Sequence, residues 1–297
     1  MILTQNKTFL RIASALIALP IYLYTIINDR FFEIPLLITS LVITLGCLSE
    51  FYKVTDRGKE GKGFMKWGLL GAVVINLFVY YLAFGKNYFC INPEALDRFS
   101  FQLGGFILTF FLIIVFIGQL AKNSIPGSLY SMAITVFGLI FIAFFFSHIL
   151  LLKSLSNGVY YILMLNLLVM VNDSAAYFGG MFFGKNKINS PISPNKTWEG
   201  YLAGLFFGSG SLIISNYCFY LQKGERLFGS IEIVFLGLFL CLLANSGDLL
   251  ESLIKRDSKI KDSGSIIPGH GGLWDVFDAL ILALPVFYYY LFFKGIS

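Results

Sequence analysis

Long apolar runs alternate with short polar breaks along most of the chain. A helix needs roughly 20 mostly apolar residues to cross the hydrocarbon core of a bilayer. The runs predict nine such helices, at about 10–27, 32–49, 67–84, 101–121, 126–149, 159–182, 200–221, 229–249 and 275–293. The fourth and fifth are the clearest. The first carries Arg11 near its start and has the length of a signal peptide. No small-residue cleavage site follows it, so a retained first helix is expected.

Composition supports this reading. Of 297 residues, 57% are hydrophobic and 13% are charged, about half the usual charged share of a soluble protein. That is too few charges to coat a soluble domain of this length. A cytosolic enzyme, a disordered tail and a collagen-like fibre are excluded. The fold class expected is all-α, a polytopic integral membrane protein of about nine transmembrane helices. A net charge of +5 does not suggest a nucleic-acid binder. The four cysteines are too few and too scattered for a disulfide scaffold. Cys47, Cys218 and Cys241 lie in apolar runs, and Cys90 lies in a loop with no obvious mate.

Orientation follows from Lys and Arg in the short loops. The side holding the N-terminus collects 15 basic residues and the other side 7, which places the N-terminus in the cytoplasm and, with nine spans, the C-terminus outside. Leaving out the last two basic loops reduces the contrast to 8 against 7, so the orientation leans on loops that also carry candidate chemistry.

Polar residues separate the chain into two parts: 1–150, a scaffold of N-terminal helices, and 151–297, a catalytic region. The spans of the first part show no ionisable residue at mid-depth. Its loop from Lys53 to Lys66 mixes both signs and reads as solvated, with contact to anionic headgroups as the alternative. His148 stands alone at the end of the fifth span and reads as interfacial. In the second part Asn172 and Asp173 interrupt an apolar stretch. A carboxylate there is costly unless it faces a partner or a wet cavity. In the stretch 184–200, Pro191 and Pro194 forbid a continuous helix. Ser193, Lys196 and Thr197 offer two hydroxyls and an ammonium, which suits a phosphate; a plain basic connector is the other reading. No Walker loop is present. Trp198 reads as an interfacial anchor.

The densest polar stretch spans 245–278. Asn245, Asp248, Ser252 and Lys255 fall on one face of a helix by their spacing. Arg256, Lys261 and Asp262 follow. Pro268, Gly269, Gly271 and Gly272 make a turned or mobile loop around His270, and Asp275 and Asp278 share a face at the start of the last span. Carboxylates alone would repel one another, whereas Lys, Arg and a divalent cation would stabilise the set. Hard oxygen ligands suit Mg²⁺, which commonly binds carboxylates together with substrate phosphates. Such a combination suits phosphoryl or nucleotidyl transfer. A structural ion-pair network is the bland alternative.

At these residues the sequence resembles the phosphatidate cytidylyltransferases, or CDP-diacylglycerol synthases. Their signature runs S-x-x-K-R-x-x-x-x-K-D and then P-G-H-G-G-x-x-D-R-x-D. Ser252, Lys255, Arg256, Lys261, Asp262, Pro268, Gly269, His270, Gly271, Gly272, Asp275 and Asp278 fall in register. The stretches Asn172–Tyr177 and Ser193–Gly200, the latter with S-P-x-K-T-W, are similar to other family blocks. Motif-level resemblance covers roughly 170–280. Val276 stands where the family has Arg.

The resemblance implies condensation of CTP with phosphatidic acid to CDP-diacylglycerol and pyrophosphate, in phospholipid biosynthesis at the inner face of the cell membrane. It implies Mg²⁺, a monovalent companion such as K⁺, and a homodimer. Asp248 and Asp275 are the implied metal ligands, and Asp278 is a further ligand or orients Lys255. Asp173 holds the second cation or the ribose. Ser193, Lys196 and Thr197 would contact phosphates, with Asn172 and Ser252 also on the substrate side. Lys255, Arg256 and Lys261 would stabilise the departing pyrophosphate, and His270 would donate a hydrogen bond or a proton. Two alternatives stand: a CTP-dependent polyprenol or phytol kinase, and a secondary transporter. Inverted repeats with polar sites in both halves would mark a transporter, and here the polar residues crowd into one half.

Overall fold

The computed structural model describes residues 2–28, 31–88, 93–264, 266–267 and 271–296. Cys90 and the expected turn at Pro268, Gly269 and His270 lie outside the described residues. Among the described residues there are ten α-helices: α1 (Ile2–Ile27), α2 (Ile34–Val54), α3 (Met65–Tyr88), α4 (Pro93–Lys122), α5 (Ser128–Gly138), α6 (Phe145–Ser154), α7 (Gly158–Phe183), α8 (Trp198–Lys223), α9 (Ser230–Asp257) and α10 (Trp274–Phe293). A π-helical turn, Leu139–Phe144, joins α5 to α6 within one apolar run.

Eight helical stretches among the described residues are long and apolar enough to cross a membrane. They coincide with the last eight predicted spans to within a few residues, except that α9 continues to Asp257. In α1 the apolar part among the described residues is the shorter Leu16–Ile27. The spans leave large side chains uncovered, such as Phe101 at 87% and Phe206 at 72% exposed. Apolar surface of this kind is what lipid covers, and a multi-pass membrane protein follows.

The chain forms two compact units, one of Met1–Leu155 with Ser258–Phe277, the other of Ser156–Asp257 with Asp278–Ser297. In the first unit α2, α3 and the α5–α6 run pack together. Tyr52 donates to the Thr135 carbonyl at 2.9 Å, and Ser40 donates to Asn76 Oδ1 at 2.7 Å. This half is less silent than its sequence suggests. Glu50 is buried on α2, and buried Lys153 donates to the Ile26 carbonyl at 2.6 Å. His148 is fully buried rather than interfacial: its Nδ1 bonds the Phe144 carbonyl at 2.8 Å and its ring meets Phe144 edge-on. A helix one turn long is enough to satisfy that nitrogen, so the ring can sit in the core. The mixed-charge loop is exposed at Asp56–Glu60.

In the second unit α7 and α8 lie side by side. Gly200, Gly204 and Gly208 recur every fourth residue on α8, one stripe of a helix. A Cβ on Gly200 would stand 2.6 Å from the Ala176 carbonyl oxygen, and one on Gly204 would stand 3.0 Å from that of Asn172. Small residues of this kind let backbones approach where lipid gives no hydrophobic drive. The same closeness recurs between α9 and the second-unit part of α10: a Cβ on Gly247 would stand 2.5 Å from the Asp278 carbonyl oxygen.

Candidate active site

Close helix approach in the second unit concentrates its polar side chains. Asn172 on α7 is fully buried, and its Nδ2 donates both to Asp173 Oδ1 at 3.0 Å and to Asn245 Oδ1 on α9 at 2.9 Å. Asp173, Lys196, Thr197, Asn245 and Asp248 line a cleft of about 440 Å³ with Ser193 at its side. The cleft reaches α9 because the segment before α8 folds back on itself. Ile188 N donates to the Lys196 carbonyl at 2.9 Å and Trp198 N to the Asn186 carbonyl at 3.0 Å. Thr197 then caps α8, its Oγ1 accepting from Gly200 N at 3.2 Å, as an N-cap threonine does. Its hydroxyl hydrogen remains available as a donor. Lys196, next to the cap, reaches Asp248 Oδ2 at 2.6 Å.

Below that pair, Asp248, Glu251 and Asp278 each place a carboxylate oxygen within 4.8 Å of the others. Glu251 and Asp278 are buried and Asp248 is half-buried. Lys255 Nζ meets Glu251 Oε2 at 2.5 Å, one helical turn on. Counting formal charges, Asp173, Asp248, Glu251 and Asp278 exceed Lys196 and Lys255 by two negative charges. Three converging hard oxygen donors and a surplus of that size fit a divalent cation such as Mg²⁺.

The remaining sequence-predicted residues lie as follows. Ser252 is half-buried on α9, and Arg256 is exposed with Nε 3.4 Å from the Ile192 carbonyl. In the first unit Lys261 and Asp262 are exposed on the segment before α10. Asp275 accepts from Gly272 N at 2.7 Å and Ser263 N at 3.1 Å through Oδ2, so its carboxylate braces that segment. Val276 is 43% exposed. His270 lies outside the described residues.

With this geometry in view, comparison with known proteins is decisive. Residues 9–294 match the sequence model of the cytidylyltransferase family. The chain belongs to that family. Among relatives, a Bacillus subtilis protein named phosphatidate cytidylyltransferase is 27% identical over 282 residues, covering 95% of this chain and 96% of its own length. One of the same name from Haemophilus influenzae is 40% identical over 140 residues, which is 46% of this chain and 47% of the relative. A Staphylococcus aureus protein of that name is 43% identical over 133 residues, 44% of this chain and 48% of its own. The chain thus spans about half the length of the latter two and nearly all of the Bacillus protein.

Two site features of this cytidylyltransferase-family chain escaped the sequence reading. Glu251 is not on the stripe of Asn245, Asp248, Ser252 and Lys255. Its spacing to Lys255 is the i,i+4 pairing of opposite charges on a helix, and that signal was present. Asn245 was seen on the stripe without a role. Its bond to Asn172 crosses 73 residues of sequence and left no local trace.

Proposed function

We propose that the chain is a membrane-embedded nucleotidyltransferase that condenses CTP with phosphatidic acid, giving CDP-diacylglycerol and pyrophosphate. One observation carries the reading: three converging carboxylates and two ammonium groups beside a cleft, in a member of the cytidylyltransferase family built of membrane-spanning helices.

In this reading an anionic oxygen of the lipid phosphate attacks the α-phosphorus of CTP in line. A new P–O bond forms as the bond from the α-phosphorus to the bridging oxygen breaks, and pyrophosphate leaves with that electron pair. The attacking oxygen is already an anion, so no strong base is required, and His270 enters at most as a donor. Charge on the triphosphate and the departing pyrophosphate must be neutralised. Lys196 and Thr197, at the turn before α8, meet the phosphates. Lys255 and Arg256, at the end of α9, offset the leaving charge, with Ser193 and Ser252 as hydroxyl donors. Lys261 and Asp262 belong to the proposal on the resemblance alone. Asn172 holds Asp173 and Asn245 in place through its two donated bonds, so that Asp173 faces the ribose.

Asp248, Glu251 and Asp278 would hold the divalent cation, whose contribution when bound is to neutralise phosphate charge as a Lewis acid. The ligand role expected for Asp275 passes to Glu251 and Asp278 in this reading, because its Oδ2 already takes two backbone N–H groups. A monovalent companion such as K⁺ and a homodimer belong to the proposal on the resemblance alone. The basic bias of the loops supports a cleft at the cytoplasmic face of the cell membrane, where soluble CTP would meet a lipid that stays in the bilayer.

The test uses detergent-purified protein, phosphatidate, Mg²⁺ and CTP labelled at either the α- or the γ-phosphorus. The proposal expects α-label in the lipid and γ-label in pyrophosphate. Transfer of γ-label to a lipid alcohol would instead mark a lipid kinase, and ion-coupled uptake in liposomes a transporter.

A further inference from the structure

Glu50, on α2, takes no part in the cleft. It is 2% exposed, and three donors converge on its carboxylate. Ser263 Oγ donates to Oε2 at 3.0 Å, Trp274 N donates to Oε2 at 2.9 Å, and Leu273 N donates to Oε1 at 3.0 Å. Two of the donors, Ser263 and Leu273, belong to the segment that connects α9 to α10, and the third, Trp274, opens α10. The approach has been cleared of side chains. A Cβ on Gly272 would collide with Glu50 Oε2 and Ser263 Oγ, and one on Gly264 would collide with Glu50 Oε1. One turn earlier on α2, a Cβ on Gly46 would stand 2.5 Å from Leu273 Cδ2. Next to Glu50, the Phe51 ring lies edge-on to the buried Trp274 ring at 5.4 Å.

Burying a carboxylate is costly unless hydrogen bonds replace its water. Packing alone at position 50 would be served by leucine. What the carboxylate adds is direction: it accepts from both ends of the segment, Ser263 on one side and Leu273 with Trp274 on the other. Asp275 accepts from Ser263 N and Gly272 N, so two carboxylates clamp the same two short stretches. Trp274 is the first residue of α10, and Asp278 lies four residues further along that helix.

We propose that Glu50 is a positioning residue for the transfer reaction: it fixes where α10 begins, and through that helix how Asp278 is presented. This rests on the proposed function in one respect, that Asp278 belongs to the reacting site.

Glu50→Gln keeps the size and turns one acceptor into a donor that faces N–H groups. Its kcat for CDP-lipid formation is expected to fall about tenfold or more, with the KM for CTP within about twofold, the pattern of an interaction that matters in the transition state. Hydrogen exchange read by mass spectrometry should quicken in peptides covering 262–277 and stay at wild-type rates elsewhere. Ser263→Ala removes one donor of the three without touching the backbone. Its kcat should fall about threefold, and the double variant should be no slower than Glu50→Gln, since residues in one network are not additive. Wild-type kcat in Glu50→Gln, or exchange quickened throughout the chain, overturns the proposal. Where Glu50→Gln does not purify folded, Ser263→Ala decides, and wild-type kcat there overturns it. A wild-type protein that forms no CDP-lipid overturns the transfer reaction and this role with it, a result separable from local loss of exchange protection.

Discussion

Lys196 Nζ lies 2.6 Å from Asp248 Oδ2, so an ammonium carried on the turn before α8 covers a carboxylate of the α9 cluster. The two side chains are 31% and 36% exposed. A pair that open to solvent contributes at most about 1 kcal/mol to stability. In the proposed reaction its value would be chemical: Lys196 would exchange the carboxylate for a phosphate of the nucleotide and leave Asp248 to face a cation.

Lys196→Ala should leave the thermal unfolding midpoint near that of wild type, and should raise the KM for CTP about tenfold. Steady-state kinetics at saturating phosphatidate makes the check. An unaltered dependence on CTP would remove Lys196 from phosphate binding.

Chelation by EDTA should abolish CDP-lipid formation, and added Mg²⁺ should restore it. Asp248→Asn and Asp278→Asn should each raise the Mg²⁺ concentration for half activity by at least about tenfold, the scale on which even supporting partners of metal ligands matter. Asp275→Asn replaces the carboxylate that accepts from Ser263 N and Gly272 N with an amide that weakens this brace, and should lower turnover without shifting that concentration. An equal shift in Asp275→Asn would restore Asp275 to the ligand set.

Glu251 and Lys255 form a buried pair, their side chains 1% and 10% exposed. Removing one member of such a pair costs about 3–5 kcal/mol, because the other charge stays buried. Glu251→Ala should therefore unfold at a markedly lower temperature in detergent. The double variant Glu251→Gln with Lys255→Met should recover most of that stability and none of the activity. Recovery of both would make the pair structural only.

Gly247→Ala places a Cβ 2.5 Å from the Asp278 carbonyl oxygen, which a backbone cannot absorb without moving. Overpacking of this kind costs about 1–3 kcal/mol, and it should lower activity as Asp278 shifts. Gly210→Ala is the control: nothing stands within 4 Å of its Cβ, and alanine is the better helix former. Thermal unfolding of the two variants side by side decides; equal midpoints would dismiss the close crossing.

The membrane-spanning helices were legible because hydrophobicity is additive along a run: each residue contributes its own transfer energy, whatever it later touches. The stripe Asn245, Asp248, Ser252 and Lys255 was legible for a related reason, since helix periodicity converts spacing into a shared face. The same periodicity sets Glu251 off that stripe, and only the packing of α9 against Asp278 shows that Glu251 completes the carboxylate trio. Tertiary structure alone decided that His148 turns into the core, that Asn172 bonds Asn245, and that Glu50 holds the start of α10. Glu50 and Trp274 are separated by 224 positions in the chain. A hydrogen bond between them depends on how whole helices pack, and the pattern of residues around either one carries no record of the other.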